Sequence, residues 1–176
     1  MDYKALEEHI KDSVMEEQAK LGFRKEVIRL YYPVGMLNNL FGTACDAEEM
    51  QQALAGFTDF AKERLGEVTI THKKDRFCLL LPEETSIYVH EHKKENEFIH
   101  QLVNLIASHE TDMEQVKKLF EQQPFPSVVE QTTGGEFDTV IHFTQGDDRY
   151  YYCFKDEGFH ITYHRFLPAD YKDLGV

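Results

Sequence analysis

The sequence predicts an α+β fold in which helices pack on one face of an antiparallel sheet. Through roughly the first two thirds of the 176 residues, most apolar side chains recur at spacings of three and four, which is typical of amphipathic helices. Between residues 139 and 166 the spacing changes to two, which predicts a C-terminal three-stranded meander. Helices first and strands mostly last favour the α+β class. Because no linker is long enough to separate domains, we expect one domain over residues 1–176.

The first helix is predicted over residues 2–21, with Gly22 at its C-terminal cap. Its buried stripe comprises Tyr3, Leu6, Ile10 and Val14. Residues 23–32 fit a short helix and a strand equally well, so their conformation is left open. Pro33 then suits the first turn of a brief helix that ends near Leu40.

A long helix is predicted over residues 46–65, with Asp46 as its N-cap. Its buried stripe comprises Met50, Leu54, Phe57, Ala61 and Leu65. A hairpin follows, in which residues 68–72 alternate, residues 73–75 turn, and residues 77–81 return as an apolar strand. A continuous apolar run of that length predicts burial on both faces.

Residues 82–92 show neither period, and their conformation is also left open. A helix over residues 95–108 is predicted by apolar side chains on one side, and Thr111 to Glu114 form a capping-box pattern for the next helix. That helix ends before Pro124, and residues 132–135 form a turn into the meander.

Charge limits the class of partner. Nineteen Lys and Arg residues against 32 Asp and Glu residues leave a formal charge of −13, and no run of adjacent Lys and Arg is longer than two. A nucleic-acid binder needs a cationic track for phosphates, and an anionic membrane repels an acidic protein. We therefore expect no nucleic acid and no membrane as partner, and a protein partner, such as a basic one, as the alternative.

Cysteine usage indicates a reducing compartment. Cys45, Cys78 and Cys153 are widely separated, odd in number, and form no CxxC motif. The first twelve residues are charged and lack an apolar signal core, and no apolar run approaches the ~20 residues that a membrane-spanning helix needs. We expect a cytoplasmic protein.

One face of the predicted meander collects the chain's nucleophilic and ligand-type side chains. A four-residue loop over residues 155–158 would pair Phe154 with Phe159 and so place His160 opposite Cys153. In the preceding hairpin, His142 would lie opposite Tyr151. The face then carries His142, Tyr151, Cys153, His160, Thr162 and His164. The opposite face, expected to meet the helices, carries Ile141, Phe143, Tyr150, Tyr152, Phe154, Phe159, Ile161 and Tyr163.

Two interpretations of this face stay open. Directly opposed residues have Cβ atoms about 4.5–5.5 Å apart, so His160 could help form a Cys153 thiolate, with His142 or Tyr151 assisting. The alternative, which we favour, is an ordinary solvent-exposed face that includes three histidines. Cys153, His160 and His142 could also approach one metal ion, but a structural zinc site needs a fourth ligand, and the sequence offers none.

His90 and His92 are the other possible metal ligands. In a strand they would point the same way, about 7 Å apart, whereas in a helix they would point to nearly opposite sides. The flanking Glu-rich and Lys-rich sequence favours a helix and therefore disfavours a site. The HExxH, GxGxxG, GxxxxGK[ST] and GxSxG motifs do not occur, and no cofactor is predicted.

Three segments resemble, as a set, a family of small uncharacterised proteins from anaerobic gut bacteria of the clostridial type. They are residues 21–33 (LGFRKEVIRLYYP), 88–92 (YVHEH) and 152–166 (YCFKDEGFHITYHRF). The resemblance covers nearly the whole chain. It implies a bacterial, cytosolic, single-domain protein, and it implies no substrate, cofactor or catalytic residue.

Two functional hypotheses follow. The first, which we favour, is a small acidic interaction or accessory protein that binds another protein. The second is an enzyme or small-ligand binder that uses the Cys/His cluster of the meander, which predicts a concave pocket there. The sequence indicates neither the identity of a partner nor the oligomeric state.

Overall fold

A computed structural model describes residues 1–108 and 110–175, and these residues form two compact units, one over residues 1–95 and one over the described residues from 96 to 175. Each unit has its own antiparallel sheet and its own helices. The α+β class is therefore confirmed. The single domain expected over residues 1–176 stays a prediction. Within the described ranges, no helix combines the length and the apolar character needed to cross a membrane.

The first unit contains four helices and three strands among its described residues. They are α1 (Tyr3–Leu21), β1 (Ile28–Pro33), α2 (Val34–Phe41), α3 (Ala47–Leu65), β2 (Thr69–Lys73), β3 (Arg76–Leu81) and α4 (Glu83–His92). The strand order is β1-β3-β2. Residues 23–32, left open by the sequence, thus end in the edge strand β1, which pairs with β3 from Ile28↔Leu81 to Pro33↔Arg76.

Helices α2 and α3 of the first unit end or begin at the expected signals. Asp46 accepts hydrogen bonds from the backbone N–H groups of Glu48 and Glu49, and Glu49 reaches back to the Asp46 N–H, which completes a capping box. The predicted stripe of α3 is buried in full. Gly42 ends α2 in the left-handed conformation (φ 64°), as is usual for a glycine after a helix.

The central strand β3 is buried on one face and half-buried on the other. Phe77, Leu79 and Leu81 point into the core, whereas Cys78 and Leu80 are only partly covered. The prediction that β3 is buried on both faces is therefore wrong. Helix α1 packs on the core side, where His9 Nδ1 lies 3.1 Å from the hydroxyl oxygen of Tyr32 in β1.

Helix α4 occupies the segment whose conformation the sequence left open. It buries two polar residues, Thr85 and Ser86, in its first turn. The hydroxyl of Thr85 donates to the carbonyl oxygen of Leu65, and that of Ser86 donates to the carbonyl oxygen of Arg24 at 2.6 Å. These bonds satisfy buried polar groups and fix α4 to the end of α3 and to the segment before β1.

The second unit contains three helices and four strands among its described residues. They are α5 (Glu97–Ala107), α6 (Met113–Glu121), β4 (Ser127–Gln131), β5 (Thr139–Phe143), β6 (Tyr151–Asp156), β7 (Ile161–Phe166) and α7 (Pro168–Asp173). The order β4-β5-β6-β7 extends the expected three-stranded meander by one strand. The α6 capping box is formed by Asp112 and Gln115, one residue later than the predicted Thr111 and Glu114.

Aromatic side chains join α5 and α6 to one face of the second sheet. Phe98 and Phe120 meet at 4.8 Å between ring centroids, and both contact the rings of Phe143 and Tyr152 at 5.2–5.7 Å. Phe120 also packs edge-on against Phe154. The expected packing of helices on the apolar face of the meander is confirmed, but the expected place of Phe159 on that face is wrong, because Phe159 lies in the β6–β7 loop and is 73% exposed.

Candidate functional site

The face of the second sheet opposite α5 and α6 carries three of the four residues predicted to be catalytic, namely His142, Tyr151 and Cys153. His142 pairs with Tyr151, as expected. Cys153, however, pairs with His164, so the predicted pairing of Cys153 with His160 is wrong. Strand β6 runs two residues further than expected because Asp138 accepts bonds from the Lys155 ammonium (2.8 Å) and the Asp156 backbone N–H (3.0 Å).

His160 lies in the loop that joins β6 to β7. Asp156 pairs with Ile161, so the loop has four residues, as predicted, but begins two residues later. The Nε2 atom of His160 is 3.1 Å from a carboxylate oxygen of Glu157. The residue opposite Cys153 is displaced by four positions, from His160 to His164. Because this number is even, the side chains stay on the same faces of the sheet, and Cys153 and His164 share the expected face.

Cys153 is fully buried. It forms a cluster with Phe137 and Val140, against which Tyr151, Phe166 and Tyr171 pack. Burial raises the pKa of its thiol to about 12, so that the thiol is protonated at neutral pH. Because the thiolate is the nucleophile in cysteine catalysis, this environment does not activate Cys153.

A continuous stack of rings covers part of this face. The ring of His142 lies 4.2 Å from that of Tyr151, and Tyr151 lies 4.8 Å from Tyr171 of α7. Burial raises the pKa of the Tyr171 hydroxyl, and Glu130, Cys153 and Tyr151 raise it further. His142 Nδ1 is buried and has no hydrogen-bond partner within the described ranges. Helix α7 thus covers residues that the sequence places on an open surface.

A cleft of about 610 Å³ lies beside this stack, between the β4–β5 loop and α7. Glu130, Glu136, Phe137 and Tyr171 contribute to its lining, together with the residues of the turn at 132–135. The predicted catalytic residues Cys153, His160, His142 and Tyr151 do not line it. A concave pocket is therefore present near the meander, but the Cys/His set lies outside it.

His90 and His92 both lie in α4, which supports the helical interpretation of this motif. The His90 ring stacks on Phe23 at 4.0 Å, and the His92 ring stacks on Tyr88 at 4.3 Å. Residues two apart on a helix point to nearly opposite sides, so the two imidazoles do not converge on one ion. In residues 1–108 and 110–175, no three His, Cys, Asp or Glu side chains are grouped to hold a metal ion.

The first sheet presents an uncovered surface, which we call the outer face. It is formed by the residues that alternate with the core side of β1, β3 and β2, namely Arg29, Tyr31, Pro33, Arg76, Cys78, Leu80, Thr69, Thr71 and Lys73. Tyr31 lies in its middle row, on the edge strand β1, and is 61% exposed. Tyr31 pairs with Cys78, which pairs with Thr71 on its other side, and all three line a shallow cavity of about 450 Å³.

Three cations lie on the outer face, and two of them, Lys73 and Arg76, line this cavity. Arg29, Lys73 and Arg76 are all exposed, and no ion pair joins any of them to a carboxylate within the described part of the chain. Some other cations do pair with carboxylates, such as Lys93 with Asp12 at 2.7 Å and Lys155 with Asp138 at 2.8 Å. The outer face is therefore a local cationic surface on an acidic protein.

A protein-family model matches residues 3–175, and its description is "Domain of unknown function, E. rectale Gene description (DUF3877)". The chain belongs to this family. The match confirms the resemblance to uncharacterised proteins of clostridial gut bacteria. No curated protein and no solved structure matches the chain.

Sequence reasoning did not find the outer face of this family member. Its cations come from β1 and from the hairpin of β2 and β3, more than forty positions apart in the chain. One signal was present, because Arg29 and Tyr31 alternate with the apolar Ile28 and Leu30, which is the period of a half-buried strand. The ambiguity of residues 23–32 hid this pattern.

Proposed function

We propose that this family member is a small acidic cytoplasmic protein that binds another protein, and that the outer face is its docking surface. The observation that carries the proposal is Tyr31, a large aromatic side chain 61% exposed in the middle row of an uncovered sheet face, on its edge strand β1. Tyr and Arg are the residue types most enriched at the centres of protein interfaces, where they contribute most of the binding energy. The outer face combines both.

Binding is favoured over catalysis by the state of the Cys/His cluster. An enzyme built on that cluster needs a thiol that substrate can reach, whereas Cys153 is buried beneath Tyr151 and Tyr171 and has a raised pKa. The neighbouring cleft presents carboxylates and backbone groups but none of the predicted catalytic side chains.

The class of partner and the compartment follow from charge and cysteine state. A net charge of −13 disfavours nucleic acid and anionic membranes as partners of the whole chain. Cys45, Cys78 and Cys153 are free thiols, which is usual in the reducing cytoplasm. Both observations support a cytoplasmic protein partner.

Site-specific photo-crosslinking tests the docking surface. Benzoylphenylalanine is placed at Tyr31 in one variant and at Phe159 in the other, because Phe159 is also an exposed aromatic (73%) but lies in the second unit. After irradiation in cells of the native bacterium, we expect a discrete crosslinked protein at Tyr31 that is missing at Phe159. Mass spectrometry identifies the protein, and purified components must reproduce the crosslink. Failure to crosslink any protein at Tyr31, or the same products at both positions, would contradict the proposal.

A further inference from the structure

Building on the docking surface proposed above, we infer that the partner presents an extended acidic segment to the outer face. In this segment two carboxylate side chains, four positions apart, flank one apolar side chain. The inference rests on the proposed function, and it adds the chemistry and the spacing of the partner.

The register of the first sheet sets the spacing. Arg29 pairs with Leu80, Tyr31 with Cys78, and Pro33 with Arg76, so that the outer face has three rows of side chains. Strands rise by about 3.3 Å per residue, which separates the first and third rows by about 13 Å. An extended segment has the same rise, and its side chains four positions apart span the same distance. One carboxylate can therefore meet Arg29 while the other meets Arg76.

The third row holds a second cation beside Arg76. Lys73 of β2 pairs directly with Arg76 of β3, which places two like charges next to each other on an exposed surface. Opposed like charges on a sheet are unfavourable unless an anion lies between them. A carboxylate from the partner would relieve this repulsion, so the stronger acidic contact is expected at this row.

The middle row supplies an apolar contact. The exposed ring of Tyr31 stands beside the half-buried Cys78, and Leu80 in the first row is half-buried as well. The cavity of about 450 Å³ that Tyr31, Cys78 and Thr71 help to line is shallow and open. A single apolar side chain of the partner can enter it and cover the Tyr31 ring.

The side chains of the outer face favour an acidic protein segment over single-stranded nucleic acid. The chain has 32 Asp and Glu residues, yet within the described ranges none of them pairs with the three cations of the outer face. Single-stranded nucleic acids bind to sheets that stack successive bases on several aromatic rings, and Tyr31 is the only aromatic side chain among the nine outer-face residues, although His72 and Phe77 also line the cavity. We therefore argue for a peptide, and nucleic acid becomes an outcome of the test.

Fluorescence anisotropy with synthetic peptides and the full-length protein tests the spacing. The first labelled peptide has two glutamates four positions apart around a central leucine, the second has the same composition with adjacent glutamates, and the third has lysines in place of the glutamates. We expect the spaced peptide to bind at least about fivefold more tightly than the adjacent one, and the lysine peptide not to bind. The expected loss of affinity for the spaced peptide is about three- to tenfold in Arg29→Gln and in Arg76→Gln.

Arg149→Gln is the matched control, because Arg149 is also exposed but lies outside the outer face, and its affinity should not change. Thermal melts confirm that each variant is folded. Equal binding of the two glutamate peptides, or full affinity in both outer-face variants, would overturn the inference. If oligothymidylate displaces the labelled peptide from its contact with Tyr31, the inference would also be overturned, in favour of nucleic acid. If Tyr31 crosslinks a protein through a segment without acidic residues, the inference fails while the docking surface stands.

Discussion

A buried carboxylate in α1 allows a quantitative test of the first unit. Glu7 is 3% exposed, and both of its oxygens accept hydrogen bonds from the guanidinium of Arg64 in α3, each at 2.8 Å. Lys11, one turn further along α1, forms an ion pair with the same carboxylate. The substitution Glu7→Gln keeps the size of the side chain, removes its charge and replaces one of the two acceptor oxygens by an amide N–H donor, so it tests the charged, two-bond pair as a whole.

We expect Glu7→Gln to lower the free energy of unfolding by about 2 kcal/mol. A surface pair contributes at most about 1 kcal/mol, whereas breaking a fully buried pair costs about 3–5 kcal/mol. The value lies between these limits because the Arg64 side chain is 33% exposed and can be hydrated when its partner is lost. For a chain of this length, about 2 kcal/mol corresponds to a decrease in Tm of about 4–8 °C.

The lowered pKa of Glu7 sets the direction in which the stability difference between wild type and Glu7→Gln changes with pH. Burial raises the pKa of the Glu7 carboxyl, but the hydrogen bonds from Arg64 and Lys11 together outweigh burial, and the pKa is lowered from its ordinary 4.5. A lowered pKa contributes stability that is present above the unfolded value and is lost as the pH falls through the folded value. The difference between wild type and Glu7→Gln should therefore be full at pH 7 and should shrink below pH 4.5.

Urea unfolding followed by circular dichroism measures this difference at pH 7 and at intervals below pH 5. Glu8→Gln is the control, because Glu8 is adjacent in α1 and its side chain is 46% exposed. We expect the control to change stability by less than about 0.5 kcal/mol. A wild-type stability in Glu7→Gln at pH 7, or a difference that stays constant down to pH 3, would refute the reasoning.

Three further predictions concern the second unit. Thiol reagents at pH 8 should label the two half-buried cysteines before the buried Cys153, as read by peptide mass spectrometry, and faster labelling of Cys153 would contradict its burial. Gly146→Ala should lower the free energy of unfolding by about 2 kcal/mol, because Gly146 has φ 91° and a Cβ there would lie 2.7 Å from the Phe125 ring. Gly134→Ala has a similar φ of 79° and open space around it, so its cost is about 1 kcal/mol, and equal losses in denaturant unfolding would exclude the ring contact. Phe120→Ala should cost about 3–5 kcal/mol in the same assay because four rings pack on Phe120, and a loss below about 1 kcal/mol would contradict that packing.

The sequence predicted the helices that bury an apolar stripe. All five stripe residues of α3 are buried, and its N-cap is the expected Asp46. Such helices can be predicted from the sequence because burial of one face imposes a period of 3.6 on the apolar residues. Helix α4 could not be predicted from its apolar pattern, because its first turn buries the polar residues Thr85 and Ser86. Their hydroxyls donate hydrogen bonds to backbone carbonyls elsewhere in the first unit.

Strand β4 was not predicted because it is mostly exposed. It lies at the edge of the second sheet, and four of its five residues are exposed, so there is no alternation to detect. The same limit applies to the outer face, which depends on pairings between strands that are distant in the chain. Local patterns predict which residues share a strand face, but they do not show which strands become neighbours.

The candidate site on the second sheet was predicted in part. The face was right, because the error in register was an even number of residues, but the partner of Cys153 was wrong. The sequence had no means of locating Asp138, whose bonds to Lys155 and Asp156 lengthen β6. It also gave no sign that Tyr171 of α7 would pack over the cluster around Cys153.

The arrangement of side chains on the outer face has a kinetic consequence. Arg29 and Arg76 stand in the outer rows and Tyr31 in the middle row, so a bound partner would leave the guanidinium groups near solvent and cover the phenol ring. Charges at the rim of an interface act mainly on the rate of association, whereas well-covered contacts act on the rate of dissociation. Substitutions at the two arginines would therefore delay the arrival of a partner, and truncation of Tyr31 would shorten the time for which it stays.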